Sequence, residues 1–371
     1  MQTYLDNAAT TRMDDEVIDF MYQIMSTHYG NSSSIYELGR QSRVIVEEAR
    51  TTIADLLKVS PAEIFFTSGG TESINTIVSG VLQKDEIKRV ITSRIEHSAM
   101  LKSIENSAKK YNKEVEFVSI NNKGQIDLQE LDNLLSTSNG DTLVSLMHAN
   151  NEIGTLLPIK EVSEICKKHS ALFFSDTVQT MGKYTNDLSK GYFDFAVASA
   201  HKFHGPKGIG FIYINGENKI APFIYGGSQE RNMRAGTENF VAIAAMAKAF
   251  EISYRLMDDT SEKLKGLKKH LVNRLENEIE GVSFNGEIDG LPNLLSIALP
   301  KTSHNEMILM KLDIKGIYVS GASACSSGAI KDSHVIEAIG KAKSIRPIRL
   351  AMSKYTTIEE LDYFVDVLKK L

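Results

Sequence analysis

Cysteine is scarce in this chain: only Cys166 and Cys325 occur in 371 residues. Two thiols cannot build a four-thiolate metal or iron–sulfur site within one chain. Nor do they suggest a disulfide-stapled secreted protein. No apolar run approaches the length that a membrane span requires. The opening MQTYLDNAATTR lacks a basic start followed by a long apolar stretch, so no secretory leader is expected and the cytoplasm is the expected compartment. Excess positive charge is also missing. The formal net charge is -5, which removes the broad electrostatic case for binding nucleic acid. The short basic stretch Lys263–Lys269 is expected to form the wet face of a helix. There is no internal repeat and no low-complexity tail. The composition is otherwise that of an ordinary globular protein, 42% hydrophobic and 24% charged, in a chain long enough for a large core and more than one structural unit.

The middle of the chain alternates short apolar runs with longer amphipathic ones. EIFFTSG reads as a strand ending near Thr67, followed by a helix through Ile77, and RVITS as the next strand, with a helix from Ser98. TLVSLM, ALFFSD, FAVASA and GIGFIYI come next. Their short length and their β-branched and aromatic content favour strands. With helical patterns such as Ile159–His169 between several of them, this predicts a mostly parallel sheet covered by helices. From about Ile243 a long helical region runs through Leu275. NLLSIALP then reads as a strand, Asn305–Leu312 as a helix, and GIYVSG as a strand-like run before a small-residue loop that holds Cys325. In the last segment Thr357 and Glu360 fit a capping box, and Ile358, Leu361, Phe364, Val365 and Leu368 make one apolar helix face. A second, smaller α+β unit is expected here.

The polar residues with chemical potential gather just beyond predicted strand ends, the edge where open α/β sheets bind ligands. Gly69, Gly70 and Thr71 precede a helix, where backbone N–H groups and the helix start favour a phosphate; a plain tight turn uses the same residues. Asp176 closes a buried-looking run and needs a partner, either a protonated heteroaromatic nitrogen or a structural hydrogen bond. Gln179 lies three residues on. Ser199, His201 and Lys202 come directly after FAVASA, and Lys202 is either a solvated charge or a desolvated amine that attacks carbonyls. His97 is either structural or a neutral ring that stacks or shuttles protons. Asn150 and Asn151 offer amide donors, and Arg349 offers a two-pronged carboxylate clamp. Cys166, at helical spacing from Val162 and Ile165, reads as core. Cys325, in SGASACSSGA, has no apolar stripe to bury it and is the kind of thiol that reacts.

The ordered series YLDNAATT, YGN, TSGGTE, ITSRIEH, HANNEIGTLLPI, DTVQTMGK, SAHKFHGPKGIGF, RAGTEN, SGASACSSG and IRLAMS resembles the cysteine desulfurases of the NifS/IscS type, within the class V aminotransferases and fold-type I pyridoxal-phosphate enzymes. The resemblance spans nearly the whole chain. It implies a large domain over residues 15–255 with a mostly parallel seven-stranded sheet. It also implies a small α+β domain made of residues 1–14 and 256–371, which carries the Cys325 loop. By the same resemblance Lys202 holds pyridoxal phosphate through a Schiff base, His97 stacks on the ring, Asp176 pairs with the ring nitrogen and Gln179 with the ring hydroxyl oxygen. Gly70, Thr71, Ser199 and His201 hold the phosphate, and Thr237 completes that cup from the neighbouring subunit of a homodimer. Asn151 and Arg349 hold the substrate carboxylate, and Cys325 accepts sulfur and passes it to acceptor proteins. SGASACSSG is similar to the longer loop of the first desulfurase group, and the RTGHHCAQ-type segment of the second group is absent. The family's usual GNPSSIH stands here as GNSSSIY, with Ser32 for proline and Tyr36 for histidine, a change expected in a substrate-side loop. An aminotransferase on the same scaffold would share Lys202 and Asp176 but would not need Cys325.

Overall fold

The computed structural model describes residues 2–137, 141–321 and 333–371; Cys325 and its loop lie outside the described residues. The chain starts with β1 (Thr3–Tyr4), α1 (Asp15–Thr27) and α2 (Glu37–Leu57). An alternating series comes next: β2 (Ile64–Thr67), α3 (Gly70–Leu82), β3 (Arg89–Thr92), α4 (Ser98–Tyr111), β4 (Glu114–Phe117), α5 (Leu128–Ser136), β5 (Thr142–Ser145), α6 (Ile159–Lys168), β6 (Leu172–Ser175), β7 (Phe195–Ser199) and β8 (Gly210–Ile214). Helices α7 (Phe240–Arg255) and α8 (Met257–Glu278) lead to β9 (Ser283–Asn285), β10 (Leu294–Pro300), α9 (Ile308–Ile314), β11 (Ile317–Tyr318), α10 (His334–Ala338), β12 (Ile345–Ala351) and α11 (Ile358–Leu368).

The main sheet has seven strands in the order β2-β8-β7-β6-β5-β3-β4, and β8 alone runs against its neighbours. Both faces are buried, and the strand period of two sends alternate residues to opposite sides. Along β7, Ala196 and Ala198 join the core under α2, α6 and α7, while Phe195 and Val197 join the one under α3 and α4. Because the other six strands share a direction, the loops after β2, β3, β5, β6 and β7 emerge at one edge. Those loops carry Gly70, His97, Asn151, Asp176 and Lys202.

A separate core packs α8, α9 and α11 on the three-stranded sheet β12-β10-β9. The N-terminal segment joins it: β1 pairs in parallel with β11, and Asp6 bridges to Ala351. The capping box at Thr357 and Glu360 forms as expected.

Three expectations change. The helix after β2 runs on to Leu82, because Val78, Val81 and Leu82 continue its buried face beyond Ile77. The long helical region is two helices that break at Leu256. Lys268 leaves the wet face of α8: its side chain is buried and Nζ donates to Leu291 O at 3.1 Å. Cys166 is buried in α6 as expected, and its thiol is pushed up to about 12 by burial.

Candidate active site

The loop after β7 is wrapped by the N-terminal NAATT segment. Thr11 N and Thr11 Oγ1 both donate to His201 O, at 2.9 and 3.0 Å, and Thr11 Oγ1 accepts from His204 N at 2.8 Å. His201 Nδ1 lies 3.1 Å from Thr10 Oγ1. The Lys202 amine donates to Ala8 O at 2.6 Å and to Ala9 O at 2.8 Å. Two carbonyls therefore fix Nζ at the rim of the sheet. The carbonyls hold a half-buried lysine inside a cleft rather than in solvent, where its amine can meet a carbonyl group once the proton is lost.

Beside it the start of α3 forms an anion cup. Gly69 has φ of 144°, a conformation that suits glycine, and a Cβ on Gly70 would meet Val178 Cγ2 at 3.1 Å. Thr71 Oγ1 and Ser199 Oγ make no hydrogen bond to any described residue, so both remain available to a ligand. The helix N-terminus adds backbone N–H donors. Arg234 ties the RAGTEN segment to this cup through Glu72, with Nε donating to Oε1 at 2.9 Å.

Asp176 is buried at the end of β6, with Oδ1 accepting from Val178 N at 3.0 Å. Burial raises its carboxyl above the ordinary range, opposed by the nearby His97, the Val178 N–H and Lys202. His97 caps α4: Nδ1 accepts from Ala99 N at 3.1 Å, so the neutral ring carries its proton on Nε2. Burial holds His97 below its usual value, partly offset by Asp176. His201 is pushed down to about 4 by burial and by Lys202. Gln179 Nε2 donates to Ala8 O at 3.0 Å.

On the substrate side the Arg349 guanidinium, 2% exposed, donates from Nη2 to Asp6 Oδ1 at 2.7 Å and from Nη1 to Asn151 O at 3.0 Å. Two of its five donors are thus spent, and buried Nε has no partner among the described residues. Asn150 is structural: its side chain donates to Ile95 O and accepts from Glu152 N and Ile153 N.

Of the twelve sequence-named site residues, all but Thr237 and Cys325 line one cleft of about 460 Å3. Cys325 lies outside the described residues. Thr237 is exposed on its own chain and away from that chain's cleft. Ser32 and Tyr36 do not line it either. Ser32 is buried, with Oγ donating to Glu238 Oε2 at 2.7 Å, so the GNSSSIY loop packs on the segment that holds Thr237. His334, Glu152, Ala8 and Ala9 line the cleft and escaped sequence reasoning. His334 Nε2 donates to Glu96 O at 2.9 Å, which leaves Nδ1 as the acceptor of the neutral ring. Ser333 Oγ donates to Glu152. A histidine in KDSHVIEAIG has no local signature, and backbone carbonyls have none at all.

A carbonyl-reactive amine, a buried carboxylate and an anion cup with two unengaged hydroxyls share this cleft. That donor set fits pyridoxal phosphate: the amine for its carbonyl carbon, Asp176 for its ring nitrogen, and Gly70, Thr71, Ser199 and His201 for its phosphate.

Known proteins agree with this geometry. The Aminotransferase class-V family model matches residues 3–364. The chain is 40% identical to the cysteine desulfurase IscS of Dictyoglomus turgidum, covering all of this chain and 94% of that protein. It is 36% identical to the putative cysteine desulfurase IscS 1 of Bacillus subtilis, covering 99% of each. Among solved structures, a NifS-like protein superposes with a TM-score of 0.92 at 38% identity, over 100% of this chain and 99% of that one. The NifS-like protein of Rickettsia africae gives 0.88 at 31% identity, with the same coverage. This chain therefore belongs to the class V aminotransferase family, within the cysteine desulfurases of the NifS/IscS type.

Proposed function

We propose that the chain converts L-cysteine to L-alanine and takes the sulfur onto Cys325 as a persulfide. The observation that carries the reading is the Lys202 amine, held by Ala8 O and Ala9 O in one cleft with Asp176, the α3 cup and Arg349.

Pyridoxal phosphate, when bound, supplies the electron sink that stabilises negative charge at the substrate Cα. Lys202 would hold it through its amine, and the same amine, when free, would take the proton from the substrate Cα. Asp176 keeps the ring nitrogen protonated, and its burial places that charge pair where it is strong. The N–H groups that Arg349 has not spent on Nη1 and Nη2, with the Asn151 amide, would orient the substrate carboxylate, so binding energy serves positioning. The Cys325 thiolate attacks the substrate sulfur. The S–S bond forms, the carbon–sulfur bond breaks, and its electron pair leaves with the carbon. His97, with its proton on Nε2, or Lys202 returns protons to the product, and L-alanine departs. An acceptor protein or a thiol reductant removes the outer sulfur, on routes to iron–sulfur clusters, thiolated tRNA or thiamine.

The same reading makes the enzyme a cytoplasmic homodimer with a large domain over 15–255 and a small one from 1–14 and 256–371. Exposed Tyr22, Met25, Tyr29 and Ile35 near the Ser32 loop support a second copy as their cover, with Thr237 reaching the partner's cup. No helix among the described residues is long and apolar enough to cross a membrane.

Product analysis tests the reaction class. Purified protein loaded with pyridoxal phosphate and given L-cysteine and dithiothreitol is expected to yield L-alanine and sulfide in equal amounts. A keto acid with conversion of the cofactor to its amine form would make it an aminotransferase instead.

A further inference from the structure

Lys183 is a half-buried amine that the reaction above does not use. It sits in the turn after β6, where Gly182, at φ of 74°, packs so tightly on Phe203 that a Cβ would lie 2.8 Å from Phe203 Cβ. Its backbone is fixed by Lys183 N donating to Thr180 O at 3.0 Å. Lys183 lines a second, small cavity, of about 50 Å3, together with His204 and Lys354; Lys202 borders both this cavity and the cleft.

Its hydrogen bonds form a relay. Lys183 Nζ donates to Gln179 Oε1 at 3.3 Å, Gln179 Nε2 donates to Ala8 O at 3.0 Å, and Ala8 O also receives Lys202 Nζ at 2.6 Å. Turning the amide over would set Oε1 against Ala8 O and the NH2 group against an ammonium. Both ends thus agree on one orientation. The NH2 group spends one hydrogen on Ala8 O and keeps the other as a donor.

We propose that Lys183 is a positioning residue for the cofactor, locking the Gln179 amide with its second N–H toward the ring hydroxyl oxygen and placing another positive charge beside Lys202. The inference rests on the reading that Lys202 holds pyridoxal phosphate. Burial and Lys202 lower the Lys183 amine to about 7, and an anionic cofactor favours its charged form. The other titratable groups around the linkage are Asp176, His97, Glu152, His201, His334 and Arg349 in the cleft. Behind it lie His204 and Lys354, the latter paired with Asp14 at 2.7 Å. Two effects act with the same sign. A neighbouring cation disfavours protonation of the lysine–cofactor linkage, and an N–H on the ring oxygen stabilises the deprotonated state.

The test is a pH titration of the visible absorbance of substrate-free holoenzyme. In Lys183→Met the midpoint is expected to rise by about one pH unit, the effect of one lost charge-assisted contact. Lys183→Arg, which keeps the charge, is expected to stay nearer wild type. Gln179→Leu is expected to move the midpoint the same way, and the double variant by less than the sum. Lys183→Gln replaces Lys183→Met should the latter fail to fold. A wild-type midpoint in the neutral variants, or additive changes with Gln179→Leu, overturns the proposal. A wild-type band that persists in Lys202→Ala would instead sink the reading of Lys202 on which it rests.

Discussion

Arg349 on β12 donates to Asp6 at 2.7 Å, so the residue assigned to the substrate carboxylate is aimed by the N-terminal segment that also holds Lys202. Ser320 Oγ donates to the other Asp6 oxygen at 2.7 Å, which fixes the carboxylate from behind. Arg349→Lys cannot span Asp6, Asn151 O and a substrate carboxylate together. It is expected to raise KM for L-cysteine on the order of 100-fold, the loss of about one bidentate charge-assisted contact. Asp6→Asn keeps an acceptor for the guanidinium and is expected to raise KM only about threefold. Initial rates over a range of L-cysteine concentration distinguish the two variants.

In the proposed reaction Lys202→Ala removes both the covalent attachment and the base at Cα. Turnover is expected to fall on the order of 10,000-fold, with the absorbance of lysine-bound cofactor gone. The α3 cup and Asp176 are untouched, so the variant is expected to retain cofactor through a desalting step. Absorbance and phosphate content of the desalted protein measure this.

Stability carries a signature of Glu96, which lies under the cleft with Oε1 accepting from Ser93 Oγ at 2.9 Å and Met147 N at 3.0 Å, while buried Oε2 has no partner among the described residues. Burial pushes its carboxyl up to about 8, and the Asp176 charge adds to the rise. A folded value above the unfolded one favours the neutral form. This contribution is therefore complete below about 4.5 and is lost as pH rises through about 8. Glu96→Gln is expected to flatten the fall in stability between those limits by at least about 1 kcal/mol, since a tenfold change in acidity corresponds to about 1.4 kcal/mol. Asp176 and Glu152, also raised by burial, leave a residual slope. Denaturant midpoints at pH 5 and pH 8.5 read the difference.

The site was legible in the sequence because its loops succeed strands whose residues alternate between two cores. Thr67, Thr92, Ser145, Ser175 and Ser199 each end a short apolar run. In a parallel sheet the loops beyond such ends meet at one edge, so position and residue type single out Gly70, His97, Asn151, Asp176 and Lys202. The resemblance to a family then supplies their roles. The supports were not legible. Ala8 and Ala9 act through carbonyls, which no side chain reports. His334 is placed by Glu96 O, far away in sequence. Lys268 belongs to a run of lysines, yet a single carbonyl at Leu291 draws it inward. The break at Leu256 carries no proline or glycine: α7 packs on the seven-stranded sheet and α8 on the three-stranded one, so the change of direction is set by tertiary packing.

The two cysteines offer the most direct test of the central claim, that sulfur from L-cysteine passes through Cys325. Cys166 is buried in α6 with its thiol pushed up to about 12, which makes it a poor nucleophile and an internal control. Holoenzyme is incubated anaerobically with one equivalent of L-cysteine and no reductant, and its peptides are mapped by mass spectrometry alongside a measurement of L-alanine. The account predicts one added sulfur atom on Cys325, none on Cys166, and L-alanine equal to the persulfide. In Cys325→Ser it predicts retained cofactor and no protein-bound sulfur. L-alanine formed at the wild-type rate by Cys325→Ser, or sulfur found on Cys166, would contradict it.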